Sequence, residues 1–251
     1  MAEYKLQIVK KNFRQGEVKL NDLSLYDHKI LCMERPKVSV PSRQMNLYNV
    51  TGLNGFRVVD HGAYGERELT LKLAVKAKSA LELETQRAFL NGFLGKELKL
   101  ELYNYPYSYF TGFIHEISDI EESKELRFNY IATVKFKLQP YRQFNLASNL
   151  VVANKGIQIN SDIGDKIDLV FHFIASGNVE ITSERFNYRL QGLPQGARVE
   201  LNVKKQSLIV NNSPGNIYKK TIGYPSYIKN RPINWTGNVS EMSIVAELGV
   251  I

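Results

Sequence analysis

Apolar and polar side chains alternate at a period of two over most of the chain. Tyr4, Leu6 and Ile8 alternate with Lys5 and Gln7, and Leu69, Leu71, Leu73 and Val75 alternate with Glu68, Thr70, Lys72 and Ala74. Leu98, Leu100 and Leu102 alternate with Lys99 and Glu101. Phe128, Tyr130, Ala132, Val134, Phe136 and Leu138 make an unusually long run of the same kind. This periodicity predicts strands with one face on a core and the other in water. The long run faces residues 110–120 across the charged stretch Glu121-Glu122-Ser123-Lys124-Glu125, which predicts a long antiparallel hairpin. One segment departs from the pattern. Ser79-Ala80-Leu81-Glu82 is a capping box, predicting a helix that runs to about Leu94 and stops at Gly95. On that helix Leu81, Thr85, Ala88, Phe89 and Phe93 share one face, and Leu83, Leu90 and Leu94 fall nearly opposite. A surface helix needs one apolar stripe, so the second needs a cover, either from its own domain or from another subunit.

Pro140 ends the long strand, because proline cannot donate into a sheet. The polar, small-residue stretch Gln143 to Asn149 reads as a linker, and it divides the chain into residues 1–143 and 144–251. Shorter strands are predicted beyond it, at Asp168–Ile174, Asn178–Thr182, Arg198–Val203, Ser207–Val210 and Met242–Leu248. Turn signals separate them at Ser176-Gly177-Asn178, Leu193-Pro194-Gln195-Gly196, Asn211-Asn212-Ser213-Pro214-Gly215 and Thr236-Gly237-Asn238. That spacing predicts an antiparallel β-sandwich. The fold class expected is mainly β, with a single helix.

The length of 251 residues allows one large all-β domain or two ordinary ones. With 43% hydrophobic and 23% charged residues, the composition is globular and not disordered. No apolar stretch approaches the roughly 18 residues of a membrane helix. The longest, Ile167 to Ala175, is broken by Asp168 and His172, so no membrane contact is expected. The start, Met1 to Lys5, has no apolar segment of the secretory kind. The single cysteine, Cys32, excludes an intrachain disulfide and reads as a buried, inert thiol. The net charge of +8 raises nucleic-acid binding as a possibility. The excess is spread along the chain, however, and its densest clusters are the pairs Lys10-Lys11, Lys204-Lys205 and Lys219-Lys220. A mixed solvated surface is the preferred reading.

No catalytic set emerges. There is no nucleophile elbow, and His28, His61, His115 and His172 are scattered singly. Asp162, Asp165 and Asp168 recur every third residue, not at the spacing of a calcium loop. Gly92 to Glu97 is too short for a phosphate loop and follows a helix instead of opening one. The expectation is a non-enzyme with no metal and no cofactor. Tyr218, Tyr224, Tyr227 and Trp235 gather near the C-terminus, either as loop and core packing or as a platform for sugars. A carbohydrate contact would use Tyr224, Tyr227 and Trp235.

The order of features in residues 1–142 resembles the distal tail protein (Dit) family of siphovirus-type bacteriophages. The resemblance runs through Gly52-Leu53-Asn54-Gly55, the strand Tyr64 to Leu73, the helix end Phe89-Leu90-Asn91-Gly92-Phe93-Leu94-Gly95, the turn Tyr105 to Gly112, and the closing segment Val134 to Arg142. In the second half, Leu193 to Arg198 and Pro232 to Gly237 resemble the family's outer sandwich more loosely. His172-Phe173-Ile174-Ala175-Ser176 resembles the start of a galectin sugar motif but lacks its Asn and Arg.

The resemblance implies a first domain built as a split β-barrel with one flanking α-helix and a long β-hairpin, residues 1–143, that forms a ring like tail-tube proteins. It implies a galectin-like antiparallel β-sandwich in residues 144–251. The expected role is a structural virion protein at the tail tip, assembled in the host cytoplasm as a homo-hexamer. It would join the tail tube protein to the tail-associated lysin or tip protein and to receptor-binding and baseplate proteins. DNA would pass through the ring without specific binding, leaving the basic excess on outer or subunit-facing surfaces. The subunit interface is expected on the first-domain strands and on Leu83, Leu90 and Leu94. Two other readings stand beside it: a carbohydrate-binding module for bacterial surface polysaccharide, and a different tail-tube or baseplate component.

Overall fold

The structure, a computed structural model, describes residues 2–49, 55–118, 120–122, 129–148, 150–152, 156–161, 166–184, 186–219, 227–228 and 231–250. Its main elements in chain order begin with β1 (Ala2–Lys5), β2 (Val18–Leu20), β3 (Ile30–Cys32), β4 (Arg43–Asn49), β5 (Phe56–Tyr64) and β6 (Arg67–Lys76). Helix α1 (Ala80–Asn91), β7 (Glu97–Leu102), β8 (Ser108–Ile117), β9 (Asn129–Leu138) and β10 (Ile157–Asn160) follow. The chain ends with β11 (Lys166–Ser183), β12 (Phe186–Asn202), β13 (Ser207–Val210) and β14 (Pro232–Val250). The chain is mainly β and antiparallel. It divides into two compact units, Lys10–Arg142 and Met1–Val9 with Gln143–Val250.

In the first unit β9 is a central strand. Its whole length pairs antiparallel with β6, from Asn129 opposite Lys76 to Leu138 opposite Arg67. Its other edge pairs with β8, β8 with β7, and β7 with β2, while β3 takes the outer edge of β6. The two ends of this sheet meet at the segment before β2. The Cys32 amide donates to the Gly16 carbonyl at 2.9 Å, and the Tyr103 amide donates to the Glu17 carbonyl at 3.2 Å. The sheet therefore curls on itself around a core of Leu69, Leu71, Leu73, Leu100, Phe110, Val134 and Phe136. Strands β8 and β9 come so close that a Cβ on Gly112 would stand 2.2 Å from the Lys137 carbonyl oxygen. The predicted charged tip of this hairpin lies in part outside the described residues, although Glu121 and Glu122 pair with Ile131 and Tyr130.

Helix α1 starts as its capping box predicts. Ser79 Oγ accepts from the Glu82 amide at 3.2 Å, and the Glu82 carboxylate accepts from the Lys78 amide at 2.7 Å. It ends at Asn91, three residues before the expected Leu94. There the amides of Phe93 and Leu94 turn back on the carbonyls of Leu90 and Asn91, a tightened last turn.

The second unit is built on three strands of 18, 17 and 19 residues: β11, β12 and β14. The sequence predicts separate short strands here, with none at residues 186–193. β11 is the central strand, paired with β12 on one edge and β14 on the other. Three of the expected turns are bulges inside these strands. Register shifts fall between Ile174 and Val179, opposite the stretch from Leu190 to Ala197 on β12 and Gly237 to Glu241 on β14. The physical reason is clear at Gly237. Its φ of +107° suits glycine, and a Cβ would stand 2.2 Å from the Asn178 carbonyl oxygen. Glycine here bends a continuous strand and does not end it. The Asn211–Gly215 turn does form, with Asn211 and Asn212 at positive φ.

Strand β1 runs parallel to β10, pairing Ala2 through Lys5 with Ile157 through Asn160. Leu6 is 2% exposed in the second unit's core beside Ile157 and Ile159. The expected boundaries 1–143 and 144–251 therefore need one correction: the first nine residues belong with the second unit. No helix among the described residues is long and apolar enough to cross a membrane.

Candidate assembly surface

Strands β4 and β5 stand apart from the curled sheet as a two-stranded ribbon. Every side chain of β4 is exposed. The register puts Leu47 directly across from Val58, with Met45 two residues along on the same face opposite Asp60. Leu47 is 62% exposed, Met45 50% and Val58 48%. The opposite face carries Tyr48 and Val59, also exposed, beside Arg57 and Asn46. An isolated hairpin is marginal in water, and its open edges and apolar faces invite another chain. Its base is held firmly. The Gly65 amide donates to the Ser42 carbonyl at 2.8 Å, Arg43 pairs with Asp60, and Tyr64 meets Tyr141 edge-on. Arg67, 8% exposed, anchors the strand that follows by donating to the Pro140 and Ser39 carbonyls at 2.7 and 3.1 Å. Burial, then the neighbouring Arg142 charge, lower the Arg67 pKa from its ordinary value.

The helix residues expected at the interface lie elsewhere. Leu90 is 1% exposed within the first unit's own core, and Leu83 is half-buried against that core. Leu94 is 46% exposed, beyond the helix end. The reason is Gln86, buried between the two leucines, whose Nε2 donates to the His28 and Lys76 carbonyls. These bonds turn the Leu83–Leu90 stripe inward and leave Leu81 and Thr85 outward. For Leu83 and Leu90, the cover comes from their own unit.

The aromatic trio is not assembled by the described residues. Tyr224 and the side chain of Tyr227 lie outside them, and Trp235 is half-buried against the second core. Asp162 and Asp165 also lie outside them, and so do Gly52, Leu53 and Asn54. Cys32 is buried on β3, its thiol 3.0 Å from the Glu34 carbonyl, and burial pushes its pKa up. Among the described residues no three His, Cys, Asp or Glu side chains converge as a metal site. The ribbon was missed in the sequence because apolar and polar residues do not alternate cleanly through Phe56–Tyr64. Its signals were Met45 and Leu47 alternating with polar neighbours, and the hairpin pair Asn54-Gly55.

No family model matches this chain, and no curated protein matches it in sequence. Solved structures do match its fold. The Dit protein (gp 19.1) of phage SPP1, described as a paradigm of the hub adsorption apparatus in phages infecting Gram-positive bacteria, superposes with a TM-score of 0.67. The superposition covers 94% of this chain and 99% of that one, at 13% identity. The chain has a Dit-like fold. A chain of the phage P2 baseplate, in its activated conformation with Ca, is a looser neighbour at TM-score 0.42 and 10% identity, covering 86% and 91%.

Proposed function

We propose that this chain is a non-enzymatic structural protein of a phage tail tip, a hub that assembles with copies of itself. The observation that carries the proposal is the Dit-like fold over nearly the whole of both chains. The exposed ribbon supports it, because a hub needs a surface that a neighbouring copy covers. A ring repeats one heterologous contact by rotation, and β4–β5 supplies one side of such a contact. Six copies would close the ring, with the tail tube on one side and the tip, lysin and receptor-binding proteins on the other. The first unit would form the ring and the second would lie outside as a galectin-like sandwich. DNA would pass through without being gripped, so the basic excess belongs on outer or subunit-facing surfaces. The site of action is the virion tail, after assembly in the host cell.

Light scattering and electron microscopy of the purified chain, alone and with its tail partners, test this directly. A closed ring of six is the expected species. A strict monomer at high concentration with partners present would sink the proposal.

A further inference from the structure

The first strand is far in sequence from the unit it completes. Ala2–Lys5 pairs in parallel with Ile157–Asn160, and the whole of Lys10–Arg142 lies between the two strands as an inserted unit. Past the ladder, the Leu6 amide donates to the Asn160 carbonyl at 2.8 Å, and Asn160 Nδ2 donates to Glu3 Oε1 at 2.9 Å. The Val9 amide donates to the Asn145 carbonyl and the Ala147 amide to the Gln7 carbonyl, both at 2.9 Å. Side chains alternate along the same segment. Leu6 is buried beside Ile157 and Ile159, and Tyr4 and Ile8 pack on that core half-buried, while Glu3, Lys5 and Gln7 are exposed.

This strand is separable from its seat. It lies at a chain end, so it can leave without threading. Its seat keeps its place without it, because Ile157 and Gln158 of β10 also pair with Ile233 and Pro232 of β14. One deep side chain, Leu6, anchors it, and segments with few buried contacts open most readily. Its hinge is short. Val9 is bonded within the second unit, whereas Lys11 is bonded within the first, its amide to the Pro106 carbonyl and its ammonium to Glu101. Only Lys10, exposed, stands between these anchors. A short hinge beside a terminal strand is where identical chains exchange elements.

We propose that the β10 edge is a strand-accepting site, and that a second copy of the chain can supply its Ala2–Val9 segment to it. The second copy fits because it carries the same alternation and the same leucine in the same register. The recognition is β-augmentation: main-chain bonds to β10 hold the strand, and the Leu6 socket selects it. A neighbour held in an assembly presents its strand at high local concentration, so exchange needs no new contact surface. The inference rests on the self-association proposed above and adds a residue, Leu6, that one copy would place in the core of the next.

The test mixes two full-length variants, Glu3→Cys and Gln158→Cys, under mild oxidation; each carries one new thiol at positions that pair in the ladder. The parent, whose Cys32 is buried, is the blank, and Glu3→Cys/Gln158→Cys in one chain reads closure of the seat by its own strand. The expected result is a mixed disulfide between the two chains, mapped by mass spectrometry, whose yield falls about tenfold or more when Leu6→Asp is added to the Glu3→Cys chain, because an unpaired charge is costly in that core. The inference is overturned if the double variant closes within each chain while the mixture gives no mixed disulfide. It is overturned too if Leu6→Asp leaves the yield unchanged, the mark of collision without seating. Light scattering on the parent keeps the two readings apart: an oligomer without the mixed disulfide sinks the exchange alone, and a strict monomer without it sinks the hub as well.

Discussion

Glu101 is fully buried on β7. It is tolerated because two lysines reach it: Lys99 at 2.9 Å and Lys11 in direct contact. Asp22 completes the cluster, 3.1 Å from Lys99 and 3.5 Å from Lys11. Burial alone would lower the Lys99 pKa, but Glu101 and Asp22 together hold it raised, and the hydrogen bond from Lys99 keeps the Asp22 carboxyl below its ordinary value. Removing Glu101 leaves the two lysines with Asp22 alone. Glu101→Ala should cost about 1.5–3 kcal/mol in urea unfolding, the scale of hydrogen bonds to a charged group. A loss no larger than that of an exposed surface pair would contradict this role. Glu17 gives a pH prediction. Its burial pushes the carboxyl up, but the Arg14 amide, the Ser24 hydroxyl and the nearby Lys19 and Arg14 charges outweigh that and hold it below the usual range. A lowered folded pKa stabilises the fold above the unfolded value, roughly pH 4.3 for Glu, and that contribution is lost as pH falls through the folded value. Stability should therefore decline on acidification below that pH, and Glu17→Gln should flatten the decline. Unchanged slopes in the two proteins would refute the assignment.

At the scale of elements, helix α1 shows what periodicity can and cannot say. Both apolar stripes were legible in the sequence, and so was the N-cap. Which residues of each stripe face inward was not: Leu83 and Leu90 from one and Phe89 and Phe93 from the other pack on the core, beside Gln86, which reaches two carbonyls on separate segments. Leu90→Ala should accordingly cost about 2–5 kcal/mol of stability and leave the oligomeric state alone; denaturation and light scattering on one sample separate these. The long strands of the second unit teach a related lesson. Gly177, Gly196 and Gly237 carried turn signals in sequence, yet pairing with flanking strands turned each into a bulge. Gly237→Ala forces a Cβ against the Asn178 carbonyl. It should destabilise the second unit by about 1–3 kcal/mol, the strain expected at such a backbone position, as measured by thermal unfolding. A neutral effect would mean the bulge relaxes freely.

At the scale of the whole molecule, the ribbon β4–β5 carries the assembly argument. Leu47 and Val58 face each other in the open and contribute nothing to either core. Leu47→Glu with Val58→Glu should therefore abolish self-association and leave the thermal midpoint of the monomer unchanged. A double variant that still forms the parent's oligomer would move the interface elsewhere. The net charge of +8 belongs at this scale as well. The excess is spread along the chain, and lysines such as Lys135 and Lys137 sit beside Glu116 and Glu66, so the assembled protein should bind duplex DNA weakly at physiological salt.

The sequence by itself determined the mainly β class, the α-helix with its cap and the central hairpin, because period-two burial and capping chemistry are local. Its family resemblance also pointed to the fold that the solved structures support. Only the tertiary structure decided where Met1–Val9 belongs, which face of α1 is buried, which glycines bend strands instead of ending them, and that the ribbon is left bare. The first three depend on a partner far along the chain: Ile157 for the first strand, His28 and Lys76 for the helix, Asn178 for Gly237. Hydrogen bonds and close packing across such separations have no period in the sequence, so they become legible only once the chain has folded.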